Sequence, residues 1–303
     1  MPPRRKPEMV EPRLTLRISS STITIRLEAA HAPRTRDALL ATLPAGIDLH
    51  CAKIAGNHIL WHAPFVVDAE ATGDVMQVPP GGFLYWPERQ FLELVFDALQ
   101  AESAAVTLLG RIEGDVGPLR ALGTEVLARQ GFAPLSATLA SDAPMSPGTP
   151  PTDSALAPIV AARRAIWAEA PAEIAAMIAR DGINLPLGPL VYAEGYARQL
   201  HEWLWRMRGV ARSGDTTHAA RAAADGLALA AARIGGFCGL HASADVLERG
   251  AALLRAPGTP VVAALDELIL YAGRLAAWLD GRIAWSPMNE IAKQARAAWN
   301  TRS

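Results

Sequence analysis

The chain has 303 residues, enough for two ordinary domains that each bury a core. Half of its residues are hydrophobic and 19% are charged, a make-up that excludes a disordered or fibrous protein. Its 29 Lys and Arg are scattered among 30 Asp and Glu, so it lacks the basic footprint of a nucleic-acid binder, and two cysteines exclude a disulfide framework.

Taken in chain order, residues 1–12 read as a disordered tail, with Arg4-Arg5-Lys6 set among prolines. Alternating apolar residues predict strands at 13–19 and 22–28, joined across three serines into a hairpin. Pro33 suits the first turn of a helix whose apolar stripe is Ala38, Leu39 and Leu43 and which Pro44 ends. Strands are expected at 47–54 and 58–62 around an Ala55-Gly56-Asn57 turn. Past Pro79-Pro80-Gly81-Gly82 come strands at 83–86 and 91–96, then a strand at 106–111, a helix at 117–129 and a strand at 133–139. Many short strands with two short helices, spaced by turn signals, suggest a compact closed barrel.

The Pro/Ser/Gly-rich stretch 140–154 reads as a linker, because the hydrophobic period changes across it from two to 3.6. Helices are expected at about 158–180, with a kink or break at Pro171, and at 191–208, 217–234, 242–254, 260–280 and 287–299. Thr259-Pro260 and Ser286-Pro287 carry the signal of a capping residue before a first-turn proline. The fold class is therefore α+β multidomain: a barrel domain at 13–139 and an all-α bundle at 155–303. No apolar run reaches the length of a membrane span, and the N-terminus lacks the apolar core of a secretory signal. The expectation is a cytoplasmic protein with neither membrane nor nucleic-acid partners.

The first half resembles the cyclophilin-like barrel. Ala32-Pro33-Arg34-Thr35 before Ala38-Leu39-Leu40 looks like the first helix of that fold, and Gly110-Arg111-Ile112-Glu113-Gly114 looks like its late strand-to-helix turn. A bacterial branch without prolyl-isomerase activity is the closer match. It is echoed by His50-Cys51-Ala52-Lys53 with Trp61 shortly after, and by Pro79…Tyr85…Glu93-Leu94-Val95-Phe96. Ile54, Ala55 and Asn57 stand where that pattern has Trp, Ser and Glu, so contacts made by those side chains in relatives are not expected here. The two-domain layout is similar to that of cucumopine synthase and its bacterial relatives, with Leu190–His201 and Leu270–Ala284 resembling stretches of their bundle. The resemblance implies condensation of histidine with 2-oxoglutarate to an imine, then ring closure through an imidazole carbon. Such a route uses proton transfer and no cofactor. No G-x-G-x-x-G follows any predicted strand, which disfavours a nicotinamide-dependent opine dehydrogenase.

Lys53 is the first candidate, one of three lysines and the only one away from the termini. In apolar surroundings an ammonium becomes a general base or a carbonyl-directed amine. Glu93 interrupts the apolar run Phe91–Phe96 and is either outward-facing or buried with a partner. Tyr85 is the candidate hydrogen-bond donor and Trp61 the pocket wall. His50, His58, His62 and Cys51 invite a metal reading, but they lack four well-spaced ligands, so no metal is assigned. Strand parity sets His50 and Lys53 on opposite faces unless a bulge intervenes, and without one Lys53 stays while His50 goes. Cys238-x-x-His241 offers only two ligands and reads as packing. In the bundle, Glu194 and Arg198 are an i, i+4 surface pair, while Arg198 or Arg274 is a candidate clamp across the domain boundary for a substrate carboxylate.

Two function classes follow. One is cofactor-independent condensation of an amino acid with a 2-oxo acid, centred on Lys53 and Glu93 in an apolar hollow of the first domain. The other is a non-catalytic module in which the barrel binds a small carboxylate and the bundle oligomerises. Prolyl isomerisation ranks third, for want of the Phe-His-Arg stretch of active cyclophilins.

Overall fold

The computed structural model describes residues 12–19, 21–53, 56–99, 103–143, 154–180 and 187–300. The tail up to residue 11 and residues 144–153 of the expected linker lie outside them, as do Ile54 and Ala55.

Nine strands form one antiparallel sheet: β1 Arg13–Ile18, β2 Ser21–Leu27, β3 Ala45–Cys51, β4 Gly56–His62, β5 Thr72–Asp74, β6 Gly82–Trp86, β7 Phe91–Leu99, β8 Ala105–Ile112 and β9 Leu135–Ser141. Eight run in the order β2-β1-β9-β3-β4-β7-β6-β8, and β8 pairs back onto β2 to close the barrel. The short β5, absent from the sequence reading, adds to the other half of β8. Alternation explains the core: Leu14, Leu16, Ile18, Ile23, Ile25 and Leu27 point inward from β1 and β2. Helices α1 Pro33–Leu40 and α2 Gly117–Arg129 add Leu39, Leu119, Leu122 and Val126 to the same core.

Closure depends on one close approach. At Gly110 an added Cβ would stand 2.0 Å from the Arg26 carbonyl oxygen of the pairing strand. Gly110→Ala is therefore expected to destabilise the fold by about 3 kcal/mol, as overpacking against backbone does. A denaturant midpoint unchanged by the substitution would refute this.

The described residues after the barrel are mainly helical: α3 Ala157–Ala168, α4 Ala172–Ile178, α5 Leu187–Arg212, α6 Thr216–Cys238, α7 His241–Arg255, α8 Val261–Asp280 and α9 Trp285–Asn300. The first expected helix does break before Pro171, where the ring removes a donor. Two capping expectations fail. Thr259 turns its hydroxyl back onto the Leu253 and Ala256 carbonyls, finishing α7 rather than opening α8. Helix α9 starts at Trp285, ahead of Ser286 and Pro287. The bundle core is rich in Ala and Leu from α5, α6 and α8. No helix among the described residues is long and apolar enough to cross a membrane.

Candidate functional site

Strand register decides which side chains can meet. Tyr85 pairs with Leu92 and Leu84 with Glu93 across β6 and β7; Leu60 faces Glu93 across β4 and β7, and His50 faces Leu60 across β3 and β4. Opposed residues share a face. Leu84, Glu93, Leu60 and His50 thus form one row on the outside of the barrel, while Tyr85, Leu92, Trp61 and Cys51 point inward. Helix α8 packs on β4 and α5 on residues 87–89 beyond β6, while Leu84 packs with Val75, Val78 and Val106 of the barrel.

Between barrel and bundle lies a cavity of about 310 Å³. Lys53, Glu93, Phe91 and Trp86 line it from the barrel, and Glu194, Gly195, Arg198 and Asp280 from the bundle. Lys53 and Glu93 therefore share one cavity, at the junction of barrel and bundle rather than within the first domain.

Lys53 does not sit in apolar surroundings. Its Nζ lies 2.6 Å from Asp280 Oδ1 and 2.7 Å from Glu194 Oε1, with the Trp285 ring centroid 4.6 Å away. The Trp285 indole N–H also donates to Asp280 Oδ1 at 2.8 Å. Burial would raise the Asp280 carboxyl, but Lys53, His50 and Arg198 together hold it below the usual range. The parity argument against His50 lapses because β3 ends at Cys51 and Lys53 lies on the bend beyond it. His50 Nδ1 stands 3.7 Å from Asp280 Oδ2, so both residues converge on one carboxylate. Burial nonetheless lowers the His50 pKa.

Glu93 is outward with respect to the barrel yet fully buried beneath the bundle. Its Oε2 lies 2.7 Å from His58 Nδ1, which donates to it, and its Oε1 has no hydrogen-bond partner among the described residues. A buried carboxylate oxygen without a partner is rare and calls for an explanation. The sequence reading treated His58 only as a metal candidate. The three histidines and Cys51 have separate partners: His50 faces Asp280, His58 binds Glu93, His62 meets Arg198, and the Cys51 thiol donates to the Gly123 carbonyl. Burial pushes that thiol up to about 12.

Arg198 reaches across the boundary between barrel and bundle. It stands 3.4 Å from His62 Nε2 and 3.4 Å from Glu194 Oε1, over the Phe91 ring. Its pairing with Glu194 is enclosed, not a surface contact; the Glu194 side chain is 8% exposed. Arg274 also crosses, but it pairs with Asp48 at 3.4 Å, packs on the Trp278 ring, and does not line the cavity. Tyr85 and Trp61 do not line it either. Tyr85 packs on Phe65, its Oη accepts from the Val67 N–H, and burial raises its pKa; Trp61 stacks on Phe83. Asn57, at one of the departures noted above, binds the Ala98 carbonyl. Cys238 donates to the Pro189 carbonyl.

A polar seam runs along one face of α5 and ties the two halves. Glu194, Arg198, His201, Glu202, Arg208 and Arg212 meet Lys53, His62, Gln90, Arg89 and, for both last arginines, Asp68. Gln90 gives its Nε2–H to the Ala63 and Phe65 carbonyls, so its Oε1 accepts, and His201 Nε2, 3.0 Å away, carries the proton. His201 Nδ1 then has no partner among the described residues. Burial, with help from Arg198 and Arg89, pulls the His201 pKa from 6.5 to about 3. The folded state thus binds fewer protons than the unfolded one between these values. The stabilisation is complete above pH 6.5 and is lost as pH falls towards 3. His62, also well below 6.5 through burial, acts in the same direction. Stability is expected to fall by about 1 kcal/mol per pH unit for each such histidine below pH 6. Urea titrations at pH 7 and 4.5 test this; His201→Gln, which keeps the donor to Gln90, should flatten the slope, and a flat wild-type profile would refute it.

The fold and the cavity define a class: a closed eight-stranded cyclophilin-like barrel followed by a helical bundle, with a charged cavity where the two meet. No family model and no curated protein matches the chain. Among solved structures, McbB in complex with tryptophan shares this fold at TM-score 0.75 and 19% identity, covering 92% of this chain and 99% of that chain. The hypothetical protein AF2241 from Archaeoglobus fulgidus covers 45% of this chain at 24% identity; its TM-score of 0.33 carries no argument.

Proposed function

We propose that the chain is a cofactor-independent condensing enzyme that joins an amino acid to a 2-oxo acid in the cavity between barrel and bundle. The observation that carries this reading is Glu93: a fully buried carboxylate among the residues that line the cavity, held through one oxygen by His58, with the other oxygen unpartnered among the described residues. The tryptophan held by McbB, which has the same architecture, supports an amino acid as one substrate.

In the cucumopine-synthase type of route, the amine adds to the 2-oxo carbon and water leaves to give an imine. Once the imine is protonated on nitrogen, a ring carbon of the amino acid side chain attacks its carbon, the C=N pair passes to the nitrogen to leave a neutral amine, and the same ring carbon loses its proton to restore aromaticity. Glu93 Oε1 takes that proton. Arg198, planar and partly enclosed, binds the 2-oxo acid carboxylate. Lys53, pinned by Asp280 and Glu194, ties the barrel to the bundle beside the cavity. The sequence reading had Lys53 as the base or amine and Glu93 as the orienting or proton-relaying carboxylate.

Purified protein incubated with 2-oxoglutarate and either histidine or tryptophan, without nucleotide, should yield a product lighter by one water than the sum of its substrates. Mass spectrometry reads this directly. No product, together with a ligand-induced rise in melting temperature, would instead establish a small-carboxylate-binding module.

A further inference from the structure

We propose that Gly195 determines the size of the amino acid side chain the cavity admits, by leaving the bare backbone of α5 as a floor for a ring. The inference rests on the reading of the cavity as an amino acid site. Glycine inside a helix costs stability relative to alanine, so its presence at the ninth position of α5 calls for a reason.

Most glycines of the bundle have one in packing. A Cβ at Gly226 would strike the Trp203 ring at 2.6 Å, at Gly250 the Leu268 side chain at 2.6 Å, and at Gly273 the Gln90 amide at 2.9 Å. Gly195 is different. A Cβ there meets nothing within 4 Å, yet the residue is half-buried. Gly209 and Gly236 also meet nothing, but they are exposed on the outside of the bundle. The open space at Gly195 is the cavity itself, which Gly195 lines.

Helix geometry gives its direction. Residues three and four apart share a face, so a side chain at 195 would project beside Arg198 and Gln199, both of which line the cavity. Across the space stand Phe91 and Trp86 on the barrel. A planar ring can lie against the helix backbone with aromatic side chains opposite, and the substrate class is an amino acid with an aromatic or heteroaromatic side chain. A side chain at position 195 would occupy the place of that ring.

The test is a substitution series at position 195 read by calorimetric binding and thermal melting. Gly195→Ala should raise the melting temperature by about 2 °C and weaken L-tryptophan about 10-fold, as one misplaced methyl group does in a close-fitting pocket. Gly195→Leu should weaken L-tryptophan and L-histidine by about 100-fold or more, while L-alanine and 2-oxoglutarate change by less than about 3-fold. Should the Leu variant fail to fold, the Ala variant carries the comparison. Unchanged tryptophan affinity in a folded Leu variant, with 2-oxoglutarate binding still lost in Arg198→Ala, overturns the inference and leaves the cavity standing as the 2-oxo acid site. Equal weakening of tryptophan and alanine overturns it too. If the wild-type protein binds none of the four compounds, the amino acid reading fails and the inference with it.

Discussion

Exchanging Glu93 for glutamine is expected to slow condensation by about 10²–10⁴-fold, the range a general acid–base group contributes. The substitution is isosteric and keeps an oxygen to accept from His58 Nδ1. It takes away the ability of the unpartnered atom to receive a proton. Because the substrate carboxylate is assigned to Arg198, KM should change by less than about 3-fold while kcat falls, the signature of an interaction made in the transition state. Steady-state kinetics on a variant with an unchanged melting temperature decides the matter. A kcat close to wild type would remove Glu93 from the chemistry and leave the cavity a binding site.

Replacing Lys53 by methionine should act differently, on stability more than on the proton-transfer step. Lys53 is the cation between two enclosed carboxylates, Asp280 and Glu194, whose side chains are 7% and 8% exposed. Removing one partner of a buried ion pair costs about 3–5 kcal/mol, because the remaining charge is stranded. The Lys53 side chain is 27% exposed, so solvent reduces the expected loss to about 2–3 kcal/mol. Asp280→Asn in the same chain should restore most of it by removing a stranded charge, whereas Asp280→Asn alone should be destabilising. Urea midpoints for the two single variants and the double variant measure this coupling. If Lys53→Met abolishes turnover with no loss of stability and no rescue by Asp280→Asn, Lys53 is itself the base or amine, as its rarity in the sequence suggested.

Much of the fold was legible because hydrophobic period is a local signal. Leu14, Leu16 and Ile18 alternate as a half-buried strand must, and Leu200, Leu204 and Ala211 recur as a helix face must. Boundaries were less secure. Thr259 looked like a cap for the following helix but binds carbonyls of the preceding one, since a hydroxyl can donate backward as readily as it accepts forward. The three-residue β5 carries too little pattern to be seen at all.

For the site, the residues that sequence singled out divide by strand parity. Glu93 is on the outer face with Leu60 and His50, while Tyr85 and Trp61, read as its companions, are one step out of phase and enter the barrel core. That division could have been read from the alternation within Phe91–Phe96 once β4 and β6 were known to flank β7. The seam on α5 also left a trace: Glu194, Arg198, His201 and Arg208 recur at helical spacing on an otherwise apolar face. The sequence reading took Glu194 and Arg198 as a surface pair and passed over His201 and Arg208.

The amino-acid sequence by itself determined the two kinds of secondary structure, the order in which they occur, and that a carboxylate at 93 interrupts an apolar run. Those are properties of neighbours along the chain, where the spacing of side chains is set by backbone geometry. Only the tertiary structure decided that Lys53 is neutralised by Asp280 and Glu194, that His58 holds Glu93, and that the cavity opens where barrel meets bundle. Lys53 and Asp280 are more than two hundred positions apart in the chain, and no local pattern encodes an attraction that arises after two separately built cores have docked.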